Sequence, residues 1–399
     1  MHQMIYLDNN ATTCVAPEVF EAMRPYLTEF FGNPSSAHAP GRNMRSAVES
    51  AREQVAKLLG AGDADEIVFT SCGSESDNWA IGGFLEQNPG RRHVITTRVE
   101  HEAVRNLCAH LAEIGCEVTW LDVDQNGELD LDDLRKALRK ETAIVSVMMA
   151  NNETGVLFPI AEIGQIVREN SDAVFHVDGV QAVGKIPINL QALPVDLFAI
   201  SGHKFHAPKG VGALYIRHGV KLPPFIIGGG QERGRRAGTE AVANIVALGR
   251  ACELAGDFIG HAQIRALRDR LEDEVLTGIP NARLNGAPDR EKRLPNTANI
   301  SFAYVEGENL VAMLDNSGIC VSTGSACSSD SHEASAVLKA MKIPYTTARG
   351  SIRFSLSRYN TAADIDKTLK ILPEIVARLA AMSPYEEELR NLTAAKVLS

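Results

Sequence analysis

The sequence lacks the features that mark membrane, exported and nucleic-acid-binding proteins. No apolar run approaches the roughly 18 residues of a membrane span, and the first residues, MHQMIYLDNN, do not combine a basic stretch with an apolar one. No block of Lys and Arg stands out, and the formal net charge is −10. We therefore expect no membrane span, no export, and no direct partner among nucleic acids or membrane surfaces.

Cysteine is sparse, and its pattern excludes a disulfide framework. The 399 residues contain 7 cysteines, without a CxxC pair or a dense cluster. This usage is typical of a reducing cytoplasm, where we place the protein. Cys108 and His110 lack metal-ligand spacing, so we interpret them as packing residues and expect no permanent metal site. Cys327 differs, because the stretch VSTGSACSSDS surrounds it with small residues that cannot bury it.

The chain is long enough for one large domain and a smaller one. From about residue 41 to 256, apolar strands alternate with helical patterns, which predicts an α/β domain with a mostly parallel sheet. Strands are predicted at residues 66–72, 93–99, 142–150, 173–178, 196–201 and 212–216. A long helical stretch at about 240–276 leads into a different alternation, typical of an α+β domain. We predict a large domain of residues 16–256 and a small domain of residues 1–15 and 257–399.

Four predicted strand ends carry unusual residues, at the edge of a parallel sheet where ligands bind. After the first strand, Cys72, Gly73 and Ser74 open a helix, where small residues and the helix dipole suit a phosphate group. Asp178 ends a buried strand, where a carboxylate needs a partner. Lys204 ends another strand, and a lysine among apolar residues is a Schiff-base candidate.

Each of these residues also has an ordinary interpretation. Ser74 and Asp178 can serve as helix N-caps, and Lys209 competes with Lys204 as the reactive amine. His101, at the remaining strand end, can be a helix-start histidine. Together, however, a phosphate cup, a carboxylate and a lysine are the three anchors of pyridoxal phosphate. The conjunction predicts that cofactor, with His101 placed to stack on its ring and move protons.

Three further segments have weaker signals. GVQAVGKI (residues 179–186) nearly matches a phosphate-binding P-loop, but Ile186 stands where Ser or Thr must bind magnesium, so we interpret it as a false match. The basic segment GGGQERGRRAGTE (residues 228–240) indicates an anion or a subunit contact. Arg353 is either a surface ion-pair residue or a guanidinium that binds a substrate carboxylate.

Ordered motifs from about residue 5 to 385 resemble one known family. The sequence is similar to the pyridoxal-phosphate cysteine desulfurases of the class V aminotransferase family, NifS/IscS group, and most closely to the nitrogen-fixation (NifS) type. This resemblance implies fold type I of the pyridoxal-phosphate-dependent transferases, with a seven-stranded sheet in the large domain. The motifs are YLDNNATT, FGNPSS, FTSCGSESDN, VEHEAV, MANNETG, VDGVQAVGK, SGHKFHAPKG, GGGQERGRRAGTE, RLPNTANISF, GSACSS and IRFSLSRYN.

The resemblance also implies a role for each matching residue. Lys204 would bind the cofactor covalently, Asp178 would face its pyridine nitrogen, Gln181 would bind the ring hydroxyl, and His101 would stack and shuttle protons. The phosphate would contact Cys72, Gly73, Ser74, Ser201 and His203, together with Thr239 from the other subunit of a homodimer. Asn152 would contact cofactor and substrate. Arg353 and Asn10 would complete the substrate site.

The resemblance implies that L-cysteine is converted to L-alanine while its sulfur is transferred to Cys327 as a persulfide. The loop of about residues 322–333 would then deliver the sulfur to an iron–sulfur scaffold protein, with nitrogenase clusters as the expected destination. Cys327 would meet such a cluster only transiently, through its persulfide. A selenocysteine lyase, an aminotransferase on the same scaffold and a non-catalytic scaffold protein are the alternatives. The C-terminal EEELRNLTAAKVLS matches no motif.

Overall fold

Strands of three sheets organise the chain in the computed structural model, which describes residues 4–258, 262–323, 335–385 and 388. In chain order the strands are β1 (Ile5–Tyr6), β2 (Ile67–Thr70), β3 (His93–Thr97), β4 (Glu117–Leu121), β5 (Thr142–Ser146), β6 (Val174–Asp178), β7 (Leu197–Ser201), β8 (Gly212–Ile216), β9 (Ala282–Leu284), β10 (Thr297–Phe302), β11 (Ile319–Cys320) and β12 (Ser351–Ser355).

The helices cover the sheets. They are α1 (Pro17–Met23), α2 (Pro25–Thr28), α3 (Ala39–Leu59), α4 (Gly73–Asn78), α5 (Phe84–Gln87), α6 (Glu102–Glu113), α7 (Leu131–Ala137), α8 (Ile160–Asn170), α9 (Val242–Phe258), α10 (Ala262–Gly278), α11 (Gly307–Asn316), α12 (Ala336–Ala340), α13 (Tyr345–Ala348) and α14 (Ala362–Ala381). Within the described ranges, no helix combines the length and the apolar composition needed to cross a bilayer.

The central sheet has seven strands in the order β2-β8-β7-β6-β5-β3-β4. Strands β3 to β7 pair in parallel, and β8 is antiparallel to both β7 and β2. The prediction of a mostly parallel seven-stranded sheet is confirmed. The apolar pattern found all of these strands except β4, whose polar Glu117 and Thr119 suit a partly exposed edge strand.

The strand order places a ligand site. Along the parallel part of the sheet, the chain runs outward from β3 to β4 and then returns to the other side of β3 with β5, followed by β6 and β7. The direction of strand addition therefore reverses between β3 and β5, and ligands of open α/β sheets bind beyond the carboxyl ends of the strands at such a point. Strand β2 runs parallel to β7, since each is antiparallel to β8, so its carboxyl end reaches the same edge.

The apolar cores are separate. One core lies on each face of the central sheet, and Cys108 is buried in one of them, as its packing interpretation expects. A further core is built from Ile5 and Leu7 together with residues of 264–376. It contains the antiparallel sheet β12-β10-β9, next to the parallel pair β1-β11. Buried apolar residues of 337–348 belong instead to one of the two cores of the central sheet. The domain boundaries at 16 and 257 stay a prediction.

Candidate active site

A cavity of about 220 Å³ lies at the carboxyl ends of β2, β3, β5, β6 and β7. It brings together all but one of the residues predicted to bind the cofactor. Its lining comprises Ala11, Cys72, Gly73, Ser74, Asp77, His101, Met148, Ala150, Asn152, Asp178, Val180, Gln181, Ser201, His203 and Lys204. Thr239 is exposed and lies outside this lining. Cys327 lies outside the described residues, as does most of its loop.

The first wall is the turn from β2 into α4. Cys72, and not Ser74, is the N-cap: its Sγ accepts a hydrogen bond from Glu75 N at 3.4 Å. Gly73 fits because a Cβ there would lie 2.6 Å from Val180 Cγ2. Helix α4 continues through a π-helical turn, Trp79–Gly83, into α5, so the aligned peptide dipoles favour an anion at this end.

The second wall carries a buried carboxylate at the end of β6. Asp178 is 5% exposed, and its Oδ1 accepts a hydrogen bond from Val180 N at 2.9 Å. Burial raises the pKa of Asp178, although His101 and Lys204 oppose the shift. A carboxylate in this setting gains from a ligand N–H or a ligand cation.

Lys204 follows β7 in a short 3₁₀ turn, Gly202–Lys204. Its Nζ donates to Asn10 O at 2.7 Å and to Ala11 O at 2.9 Å. Of the two lysines that the sequence offered, Lys204 lines the cavity, whereas Lys209 is exposed and does not. The amine therefore lies on the same edge as Asp178.

His101 has both of the positions that the sequence allowed: it starts α6 and it lines the cavity. Its Nδ1 accepts a hydrogen bond from Ala103 N at 3.1 Å. Burial lowers the pKa of His101, which favours the neutral ring. Because Nδ1 is occupied as an acceptor, the ring proton is assigned to Nε2.

The residues predicted to bind the substrate meet around Asn152. Its main-chain O accepts hydrogen bonds from Arg353 Nη1 at 3.0 Å and from Asn10 Nδ2 at 3.2 Å. Its side-chain Oδ1 is buried and has no partner in the described chain. Arg353 lies outside the cavity lining and is paired through Nη2 with Asp8 at 2.8 Å. Two of its three guanidinium nitrogen atoms, Nη1 and Nη2, therefore already have partners within the chain.

The sequence analysis missed two sets of polar residues, one that lines the cavity and one that lies beside it. Asp77 lines the cavity, and its Oδ1 lies 3.4 Å from Nε2 of His176, whose Nδ1 is 2.9 Å from Ser146 Oγ. Burial, with Asp178 and Glu100 nearby, raises the pKa of Asp77, while burial lowers that of His176 to about 3. The two side chains lie in contact beside Asp178, and both pKa shifts favour their neutral forms.

The other missed residue is Lys185. Its Nζ donates to Gln181 Oε1 at 2.6 Å and to Asn10 Oδ1 at 3.0 Å. The signal was present in GVQAVGKI, whose lysine was set aside with the false P-loop match. In the structure, residues 180–185 form turns that carry both Gln181 and Lys185 toward Asn10.

The basic segment 228–240 is joined to the phosphate cup of its own chain. Arg236 Nε lies 2.9 Å from Glu75 Oε1, and Glu75 Oε2 accepts a hydrogen bond from Ser71 N at 2.9 Å. The segment is also held by Glu232, which accepts two hydrogen bonds of 2.8 Å from Arg52. Thr239 follows on the exposed side.

Comparisons with a family model, with curated proteins and with solved structures all point to one family. The family model "Aminotransferase class-V" matches residues 5–368. A cysteine desulfurase of Trichormus azollae is 57% identical, with 96% of each chain covered. The cysteine desulfurase NifS of Azotobacter vinelandii is 52% identical over 96% of this chain and 94% of its own length. A solved NifS-like protein superposes with a TM-score of 0.88 at 40% identity, covering 94% of this chain and all 100% of its own. This chain therefore belongs to the class-V aminotransferase family, among its cysteine desulfurases.

Proposed function

We propose that this chain is a pyridoxal-phosphate-dependent cysteine desulfurase, which moves the sulfur of L-cysteine to a thiol of its own and releases L-alanine. The observation that carries the proposal is one cavity lined by Lys204, Asp178 and the start of α4. The amine, the carboxylate and the anion-binding helix end match the aldehyde, ring nitrogen and phosphate of the cofactor. The substrate is supported by the two curated relatives, each of which is named a cysteine desulfurase.

The residues present fit this cofactor. Asp178 is a buried carboxylate whose described partner is the Val180 N–H, which leaves it suited to a protonated ring nitrogen. Asn152 Oδ1 is buried without a partner in the described ranges, so a bound ligand would supply one. Gly73 lets the start of α4 lie against Val180 and Ser201, which also line the cavity, where a Cβ would lie 2.6 Å from Val180 Cγ2.

When bound, pyridoxal phosphate stabilises negative charge at the substrate Cα. Lys204 Nζ is positioned by the carbonyl oxygens of Asn10 and Ala11, and as the amine it removes and returns the Cα proton. His101 exchanges its proton through Nε2, since Nδ1 is bound to Ala103 N–H. Asp178 holds a proton at the ligand nitrogen.

The substrate carboxylate is proposed to bind at Asn152 and Arg353. Nη1 and Nη2 of Arg353 already contact Asn152 O and Asp8, and Nε is buried without a partner among the described residues. A carboxylate that approaches the guanidinium therefore competes with Asp8 for Nη2. Asn10 contributes indirectly, because its amide binds the main chain of Asn152.

The sulfur step requires a thiolate, for which we propose Cys327. The thiolate attacks the substrate sulfur, so that an S–S bond forms while the Cβ–S bond breaks. The electron pair of the broken bond stays with the substrate carbon, which is protonated to give alanine. The product on the enzyme is a persulfide.

We further propose a cytoplasmic homodimer that passes this sulfur to an iron–sulfur scaffold protein, with nitrogenase clusters as the final use. The dimer is supported by the exposure of Thr239 and of the apolar side chains of Phe225, Ile226 and Ile227 near it. A reducing compartment is supported by the free state of all cysteines in the described chain. The nitrogenase connection is supported by the NifS name of one relative.

The test measures both products. Purified protein is incubated with pyridoxal phosphate, L-cysteine and a thiol reductant, and alanine and sulfide are quantified. We expect both to form in equal amounts, and we expect Cys327→Ser to lose sulfide release. Cys14→Ser is the matched control, because Cys14 is exposed and outside the cavity.

Two outcomes would overturn this proposal. Sulfide release by Cys327→Ser at the wild-type rate would remove the thiol from the mechanism. Turnover of selenocysteine together with rejection of cysteine would identify a selenocysteine lyase.

A further inference from the structure

Lys185 binds two amide oxygens beside the proposed cofactor site. Its Nζ donates to Gln181 Oε1 at 2.6 Å and to Asn10 Oδ1 at 3.0 Å. In the part of the chain that the structure describes, no carboxylate forms an ion pair with Lys185. Its partners are therefore two uncharged side-chain amides, whose function depends on which way their oxygen and NH₂ groups point.

The Lys185 amine holds the oxygens of the two amides that it contacts. Each amide presents its oxygen to the N–H donors of Lys185, because its NH₂ group is bound elsewhere. Gln181 Nε2 accordingly donates to Asn10 O at 2.9 Å. Asn10 Nδ2 donates to Thr297 Oγ1 at 2.9 Å and to Asn152 O at 3.2 Å.

These bonds connect two parts of the site. On one side, Gln181 lines the cavity and its NH₂ group is directed away from Lys185. On the other side, Asn10 binds the main chain of Asn152, which Arg353 also holds. The contacts thus run from Gln181 through Lys185 and Asn10 to Asn152.

We infer that Lys185 is a positioning residue: it orients the Gln181 amide toward the ring hydroxyl of bound pyridoxal phosphate and, through Asn10, positions Asn152 for the substrate carboxylate. The inference rests on the proposed function, because it needs that cofactor and that substrate in this cavity. Lys185 itself touches neither, since it does not belong to the cavity lining.

The local electrostatics agree with a role based on hydrogen bonds. Burial, followed by the positive charges of Lys204 and Arg353, lowers the pKa of Lys185 well below its usual range. A neutral amine still has two N–H donors, one for each of the two amide oxygens. The contacts therefore need no charge on Lys185.

The experiment compares Lys185→Met with wild-type holoenzyme. Methionine retains the length of the chain but has no N–H donor. We expect the visible absorption maximum of bound pyridoxal phosphate to shift in the absence of substrate, because the Gln181 amide loses its fixed direction. We also expect KM for L-cysteine to rise by about tenfold with a smaller change in kcat, because Asn152 loses its support.

A double-mutant cycle tests the route through Gln181. If Lys185 acts on the cofactor through Gln181, then Lys185→Met added to Gln181→Leu leaves the absorption of Gln181→Leu unchanged. Additive spectral shifts would overturn the inference. Lys136→Met is the matched control, because Lys136 is exposed on α7 and paired with Asp133, and it is expected to keep wild-type values.

Wild-type absorption and wild-type KM in Lys185→Met would also overturn the inference. Should that variant not fold, Lys185→Ala is measured in the same way, and wild-type values there have the same meaning. Failure of the proposed function looks different, because the wild-type protein itself would then form no alanine from L-cysteine.

Discussion

The buried carboxylates Asp77 and Glu100, behind the cavity, differ from the buried carboxylate Glu272 of helix α10 in what faces their oxygens. Glu100 Oε2 is buried without a hydrogen-bond partner among the described residues, and Asp77 Oδ1 faces the imidazole of His176 at 3.4 Å without a hydrogen bond. Glu272, in contrast, accepts hydrogen bonds on both oxygens from Arg293, at 2.7 and 2.9 Å. All of these side chains are nearly inaccessible to solvent.

This difference distinguishes buried carboxylates that stabilise the fold from those that serve the site. A paired buried charge is costly to disrupt, because removal of one partner leaves the other desolvated and alone. A buried acid without a cationic partner instead has its pKa raised, and such groups concentrate where a site needs a particular protonation state. The paired charge should therefore control stability, and the acids without a cationic partner should control pH dependence and, where they face the ligand, activity.

The largest expected effect is on stability, from Glu272→Gln. The substitution leaves Arg293 buried without its counter-charge, close to the buried Arg268. We expect the free energy of unfolding to fall by about 3–5 kcal/mol. Urea unfolding of the full chain, followed by tryptophan fluorescence, measures this.

The matched control is the neighbouring Asp273→Asn. Asp273 is exposed and pairs with Arg290 at the surface, so its loss should cost at most about 1 kcal/mol. Equal losses in the two variants would show that burial does not distinguish the pairs.

The next effect is on catalysis, from Asp178→Asn. Loss of the carboxylate that is proposed to face the ligand nitrogen should lower kcat for alanine formation by about 10² to 10³-fold. Because burial raises the pKa of Asp178, ionisation of this group costs stability, and the apo chain should not become less stable. Steady-state kinetics with L-cysteine and urea unfolding measure the two quantities.

Asp77→Asn tests the comparison from inside the same acidic group. Burial and Asp178 raise the pKa of Asp77 beside His176, so the amide stands in for the favoured protonated acid, and we expect kcat to change by no more than about tenfold. If Asp77→Asn and Asp178→Asn lowered kcat equally, the assignment of different roles to the two acids would be wrong.

The sequence predicted the parts of the site that depend on local pattern. Asp178 and Lys204 could be found because Asp178 ends one apolar strand and Lys204 lies three residues after another, and parallel strands end at one edge. Strand β4 escaped the apolar pattern because Glu117 and Thr119 break its hydrophobic run at the sheet edge. The motifs around Cys327 predicted a thiol whose position lies outside the described residues.

Contacts distant in sequence were not predictable in the same way. Lys185 and Asn10 are 175 positions apart, and only the folded chain shows that the amine meets the Asn10 side chain. The Asp77–His176 pair likewise joins α4 to β6, two elements that are separate in sequence. Single-chain patterns report which face of an element is buried, but they do not report which polar groups meet there.

The last expected effect is the pH dependence that Glu100 gives to stability. Its Oε1 accepts hydrogen bonds from Met148 N at 3.0 Å and Thr97 Oγ1 at 2.8 Å, and burial raises its pKa from 4.5 to about 8. Between these two values the folded chain holds a proton that the unfolded chain has released. Stability therefore falls as pH rises through this window, by about 1.4 kcal/mol per pH unit.

Glu100→Gln imitates the protonated acid and should remove this slope. Urea unfolding of the apo chain from pH 5 to 9 should give similar stabilities for wild type and variant at low pH, and a variant that is increasingly more stable up to about pH 8. The exposed Glu113→Gln should follow the wild-type curve. Parallel curves for Glu100→Gln and wild type would mean that Glu100 is ionised across the whole pH range. A buried, ionised Glu100 would need a cationic partner, and its contrast with the Arg-paired Glu272 would then fail.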